Sequence, residues 1–143
     1  MRRCSALLFI ISFSSLSNPL FNQARIEAGD AIERCNVELK QNVKPFSINQ
    51  WFMSLSRLDK RLVVGYISLE NSQQCSWSEM DTLRSLSVNL TPYQRELLDK
   101  SSIIKPFVFK GNVSHLDMKE IESLQRTYTR PFDIFRVLED LGL

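Results

Sequence analysis

Apolar residues along the chain recur mainly at steps of three and four, the spacing of helices that bury one face. From Arg25 to about Asn42, Ala28, Ile32, Cys35 and Leu39 form one stripe, while Glu27, Glu33, Arg34 and Lys40 lie off it. Pro45 then bars continuation. Ser47 with Gln50 has the form of a capping box, and after it Ile48, Trp51, Phe52, Leu55, Leu58 and Leu62 march as the clearest amphipathic helix of the chain. The next run, Leu62 to Leu69, carries β-branched residues around Gly65 that also suit a short buried strand. The helical march continues through Tyr66 and Leu69, and helix is the favoured reading.

A polar connection, Glu70 to Ser76, contains Cys75 and leads to a second capping box, Ser76 with Glu79, opening a helix through Met80, Leu83 and Leu86. Thr91-Pro92-Tyr93-Gln94 is a third, with proline at the first helical position, where its missing N–H costs nothing. That helix carries Leu97 and Leu98 and frays near Ser101-Ser102. Ile103 to Phe109 has strand-like composition, but Pro106 cannot donate to a ladder, so an edge strand or a buried extended segment is expected. Ser114 with Asp117 starts a helix using Leu116, Ile121 and Leu124. A last one follows Pro131, using Phe132, Phe135, Leu138 and Leu141, with Gly142 as a stop. The expected architecture is all-α: five or six helices in a small disulfide-stapled bundle, with room for one short two-stranded element. Four Gly and five Pro leave little material for the turns of an all-β protein.

The amino terminus changes the picture. Arg2 and Arg3 precede a short apolar core, Ala6 to Phe13, and then small polar residues, Ser14 to Ser17. That order is the pattern of a secretory signal peptide. A spanning helix needs about 20 apolar residues, and Asn18-Pro19 interrupts this run earlier. The expected boundary falls after Ser17, with a second candidate after Ala24, leaving residues 18–143 as a single exported domain in the periplasm or outside the cell. No membrane span is expected to remain after cleavage. The whole chain has 18 Lys+Arg against 16 Asp+Glu, and losing Arg2 and Arg3 balances the two. No basic stripe then remains for a phosphate backbone, so nucleic acid is not an expected partner.

Cleavage removes Cys4 and leaves Cys35 and Cys75. In an oxidising compartment an even pair in a small domain reads as a structural disulfide. The spacing lacks the C-x-x-C form of a redox-active pair.

Candidate chemistry is sparse. His115 is the only histidine, so a multi-histidine metal site is excluded, and no Cys or carboxylate cluster stands at ligand spacing. A catalytic role for His115 requires an orienting partner. No nucleophile elbow, phosphate loop or dinucleotide fingerprint is present. Close acidic pairs, Glu79/Asp81, Glu120/Glu122 and Glu139/Asp140, do not share a helix face. No metal, cofactor or enzyme activity is therefore expected. The aromatic residues are the other feature: of these, Trp51, Phe52, Phe107 and Phe109 are candidate partner-binding positions, against the alternative that they fill the core.

The segment Leu90-Thr91-Pro92-Tyr93-Gln94-Arg95 resembles the L-T-x-x-Q motif of the CpxP/Spy family of helical periplasmic chaperones and stress adaptors. The resemblance implies a helical exported protein that shields apolar clients. It covers a handful of residues, without a second copy of the motif. Three functional readings follow. The first is a non-enzymatic exported protein acting through protein–protein contact, such as an inhibitor, immunity or accessory factor. The second is a chaperone or stress adaptor, and the third an enzyme centred on His115.

Overall fold

A computed structural model of the chain describes residues 18–100 and 108–143, apart from the Leu97 side chain. Among the described residues there are seven helices and no strand: α1 (Pro19–Gln41), α2 (Gln50–Ser54), α3 (Arg57–Cys75), α4 (Trp77–Ser87), α5 (Pro92–Lys100), α6 (Met118–Thr127) and α7 (Ile134–Asp140). The all-α expectation holds. The Leu62–Leu69 run is the middle of α3. Of the Ile103–Phe109 run, residues 103–107 and the candidate Phe107 lie outside the described residues, and residues 108–110 have no regular structure. Residues 1–17, the expected signal peptide, likewise lie outside them.

Helix α1 begins six residues before the expected start. The Asn18 side chain accepts from the amides of Leu20 and Phe21, and Pro19 occupies the first turn, so Asn-Pro is a helix start here. Its buried stripe is Phe21, Ala24, Ala28, Ala31 and Cys35, and Ile32, expected on that stripe, is exposed. Small alanines let α1 approach α4, its most extensive neighbour. Phe21, Ala24 and Ala28 form a modest apolar cluster with Met80, Leu83 and Leu90.

The march from Ile48 to Leu62 is two helices rather than one. Asn49, not Ser47, caps α2, its side chain accepting from the Phe52 amide at 2.8 Å. Leu55 and Ser56 are extended, and the Ser56 hydroxyl accepts from the Asp59 amide at 3.1 Å to start α3. The break resets the register. The buried face of α3 is Val63, Val64, Ile67 and Asn71, while Ile48 and Leu58 are exposed. Helix α3 touches α1, α4, α6 and α7, and the main core gathers around it. An aromatic group fills that core. Phe46 lies 5.2 Å from Tyr128, 5.7 Å from Phe132 and 5.8 Å from Phe52, centroid to centroid, and Tyr128 meets Phe132 edge-to-face at 4.9 Å.

Cys75 is the last residue of α3 rather than part of a polar connection. Its disulfide to Cys35, with Cα atoms 6.0 Å apart, ties α1 to the end of α3. Ser76 alone separates α3 from α4. Its N–H bonds to Gln74 O and its φ/ψ of −115°/14° is not that of an N-cap, so the expected Ser76–Glu79 box does not form. Thr91 and Gln94 do form theirs: the Thr91 amide donates to Gln94 Oε1 at 3.0 Å and the Gln94 amide to Thr91 Oγ1 at 3.3 Å. Asp117, not Ser114, caps α6, and Asp133 caps α7. Gly142, with φ +67°, follows α7 in the left-handed conformation that glycine adopts without strain.

The chain crosses itself where residues 42–46 meet residues 127–131. Buried Asn71 donates to Tyr128 O and, at 3.2 Å, to Arg130 O, and accepts from Gln125 Nε2 at 3.3 Å. The Tyr128 hydroxyl donates to Lys44 O, Asn42 Nδ2 to Pro131 O at 2.9 Å, and the Arg136 guanidinium to Asn42 O. Among the described residues every buried side-chain nitrogen and oxygen has a partner.

Candidate interaction surface

Large apolar side chains are exposed at several places along the described chain, from Leu20 and Val43 to Tyr93 and Val108, and three of them fall at the α2–α3 corner. Asn49 fixes α2 twice, by capping it and by donating to Glu120 Oε2 on α6 at 3.0 Å. Ser54 Oγ donates to Trp51 O at 2.7 Å and closes the short helix. With the corner so held, Ile48, Met53 and Leu58 are 47%, 58% and 68% exposed, and Trp51 is half-buried against the core. Phe135, on α7, is 80% exposed.

The three described aromatic candidates separate. Phe52, at 1% exposure, is core and cannot meet a partner. Trp51 keeps part of its ring at the surface. Phe109 is half-buried, edge-to-face on Tyr66 at 5.8 Å, and lines a cavity of about 360 Å³ with Tyr66, Glu70 and Val113. Burial first, and then the charges of Glu70 and Glu122, raise the Tyr66 phenol above its ordinary value. The aromatic signal thus pointed mostly inward, and the exposed positions of the corner are aliphatic or thioether side chains that the helical march had assigned to the core or left unassigned.

His115 has the partner that the sequence could not identify. Its Nε2 lies 2.9 Å from Asp59 Oδ1, joining the turn before α6 to the first turn of α3. The Ser56 hydroxyl donates to Asp59 Oδ2 at 2.7 Å. That bond, followed by the His115 contact, holds the Asp59 carboxyl below its ordinary value. The order is Ser–Asp–His with the carboxylate in the middle. Ser56 is engaged as the α3 cap and does not face the imidazole as a nucleophile would. The Ser56-x-x-Asp59 pattern could have revealed the cap from sequence, but the apolar march across it hid the break.

Elsewhere Arg34 Nη2 donates to Glu79 Oε1 at 3.2 Å and to Cys75 O at 3.3 Å beside the disulfide. The Glu79 carboxyl is held low by its own backbone amide first and then by Arg34. Among the described residues no group of three His, Cys, Asp or Glu side chains is placed to hold a metal ion, and no helix is long and apolar enough to cross a membrane.

No protein-family model, curated protein or solved structure matches the chain. The Leu90–Arg95 resemblance therefore rests on those residues, where Thr91 and Gln94 act as a capping box.

Proposed function

We propose that the protein is exported and acts without catalysis, by binding another protein through the α2–α3 corner, as an inhibitor, immunity or accessory factor would. The observation that carries this reading is the exposure of Ile48, Met53 and Leu58 beside half-buried Trp51, within one short stretch of chain. Large apolar side chains around a partly exposed tryptophan are the composition of an interface centre. The disulfide supports the exported half of the reading, because such bonds persist in oxidising compartments. Residues 1–17 would then be the leader, and Asn18 the first residue of the mature chain.

The test is affinity capture by the mature, disulfide-intact protein from its native exported fraction, run beside a Met53→Glu/Leu58→Glu variant. The expected result is one stoichiometric partner that the variant loses. Equal capture by both forms would remove the corner from the interface, and capture of nothing by either would end the binding reading.

One observation favours a second reading. The 2.9 Å contact with Asp59 is the orienting partner that a catalytic His115 requires. Against it, His115 is exposed and lies outside the cavities at Phe109 and at Lys44. A phenotype retained after His115→Ala would remove this reading.

A further inference from the structure

We propose that the cavity between residues 42–44 and 127–130 is a binding site for a small oxyanion, a phosphate or carboxylate group. The cavity measures about 240 Å³ and is lined by Asn42, Lys44, Thr127, Tyr128, Thr129 and Arg130. Two of these side chains are cationic and none is acidic. This inference is independent of the partner reading above.

The donors fit an anion better than they fit each other. The Arg130 guanidinium and the Thr129 hydroxyl make no hydrogen bond or ion pair among the described residues, and neither do the backbone amides of Thr129 and Arg130. Lys44 Nζ uses one of its three protons on Thr127 O at 3.1 Å and sits 5.8 Å from the Tyr128 ring centroid. The remaining protons stay available, since an ammonium has three donors. A forked guanidinium, an ammonium, a hydroxyl and two adjacent amides are the groups that recognise phosphate and carboxylate oxygens. Thr127 adds no donor, because its hydroxyl proton goes to Leu124 O at 2.7 Å.

The walls are already fixed. Asn71 holds the carbonyls of Tyr128 and Arg130, the Tyr128 hydroxyl holds that of Lys44, and Asn42 holds that of Pro131. A ligand entering such a site orders the Arg130, Lys44 and Thr129 side chains but not the backbone, which lowers the entropic cost of binding. Arg136, outside the lining, brings a further positive charge to it through its bond to Asn42 O, and Asp140 is the acid whose field reaches Tyr128. Two cations in the lining and a third beside it outweigh that one acid.

The experiment is an amide NMR titration of the mature, disulfide-intact protein with inorganic phosphate, and separately with acetate, each at constant ionic strength set with chloride. The expected result is a saturable shift at the Thr129 and Arg130 amides, weakened about tenfold in half-saturation by Arg130→Ala. Arg126→Ala, outside the lining, leaves it unchanged. Because the Arg130 side chain holds nothing else in place, its removal leaves the fold intact. Saturation by phosphate alone identifies a phosphate ester as the ligand class, and saturation by acetate alone a carboxylate. Shifts that grow linearly and match chloride, or an Arg130→Ala protein that binds as well as the native one, would overturn the proposal.

Discussion

The ring of Phe109 rests on the bare backbone of Gly65, with Cε2 3.2 Å from the point where a β-carbon on that helical residue would stand. A glycine in a helix interior costs about 1 kcal/mol relative to alanine, and here that cost admits the ring. At Gly111 the fit is tighter: a methyl group there would overlap the Phe109 ring and stand 2.9 Å from Leu62 Cδ2. Gly111→Ala is therefore expected to destabilise by about 1–3 kcal/mol through overpacking. Gly65→Ala should depend on context, close to neutral in the native protein and stabilising by about 1 kcal/mol once Phe109→Ala has emptied the seat. Urea unfolding of Gly111→Ala and of the four proteins of the Gly65/Phe109 cycle measures both, and additive effects in the cycle would refute the coupling.

Removing the Cys35–Cys75 crosslink, which spans 40 residues, should lower stability by about 4 kcal/mol in the chain-entropy model. The loss should be uneven. The α1–α4 cluster is small and includes a single aromatic residue, Phe21, whereas the main core has its own aromatic centre. In the Cys35→Ser/Cys75→Ser protein, hydrogen exchange is expected to quicken in α1 and α4 before α3 and α6. Uniform acceleration across all four helices would contradict this division.

Asn71 is the polar hinge-pin of the chain crossing. Asn71→Leu leaves two carbonyls without their donor and should cost about 2–4 kcal/mol in denaturant midpoint experiments. Asn71→Asp should be worse at neutral pH and partly recover in acid, because only the protonated carboxyl can donate to Tyr128 O or Arg130 O. A variant equally stable at both pH values would show that the donor is not what matters.

Asp59 gives the acid limb a definite sign. Its carboxyl is held below the ordinary value of 3.8, by Ser56 first and then His115. Its contribution is thus complete above that value and is lost as pH falls through the depressed one. The stability gap between native protein and Asp59→Asn should be widest near neutrality and close in strong acid. It should also narrow in high salt, since His115 and Asp59 are solvent-accessible. A gap that ignores pH would place the role of Asp59 elsewhere.

If residues 1–17 are a leader, mass spectrometry of the exported protein should find Asn18 at its amino terminus. Asn18 caps α1, and Phe21 and Ala24 belong to the smaller core. A mature chain beginning at Arg25 would lack all three, and finding it would exclude the earlier boundary.

What the sequence disclosed depended on how local the determinant is. Thr91 and Gln94 satisfy each other within one turn, so their box was legible. Ser76 and Glu79 have the same form but are claimed by other groups: the serine N–H by Gln74 O, the glutamate by its own amide and Arg34. The disulfide followed from cysteine count and the expected compartment. The α1 stripe was misjudged at Ile32 because the helix interface prefers the small Ala31, a choice made by α4. Phe52 looked like an anchor because burial of an aromatic is decided by partners such as Phe46. The Asp59–His115 pair and the Lys44–Arg130 cavity join residues far apart in the chain, and no spacing announces them.

Between α3 and α4 the chain has no slack. One residue, Ser76, separates a helix anchored in the aromatic core from a helix anchored on α1. Each added residue turns a helix by about 100° and lengthens it by about 1.5 Å. A single insertion at Ser76 would rotate Met80 and Leu83 off α1 and carry Glu79 away from Arg34. Length variation in this protein should therefore be forbidden at the α3–α4 joint.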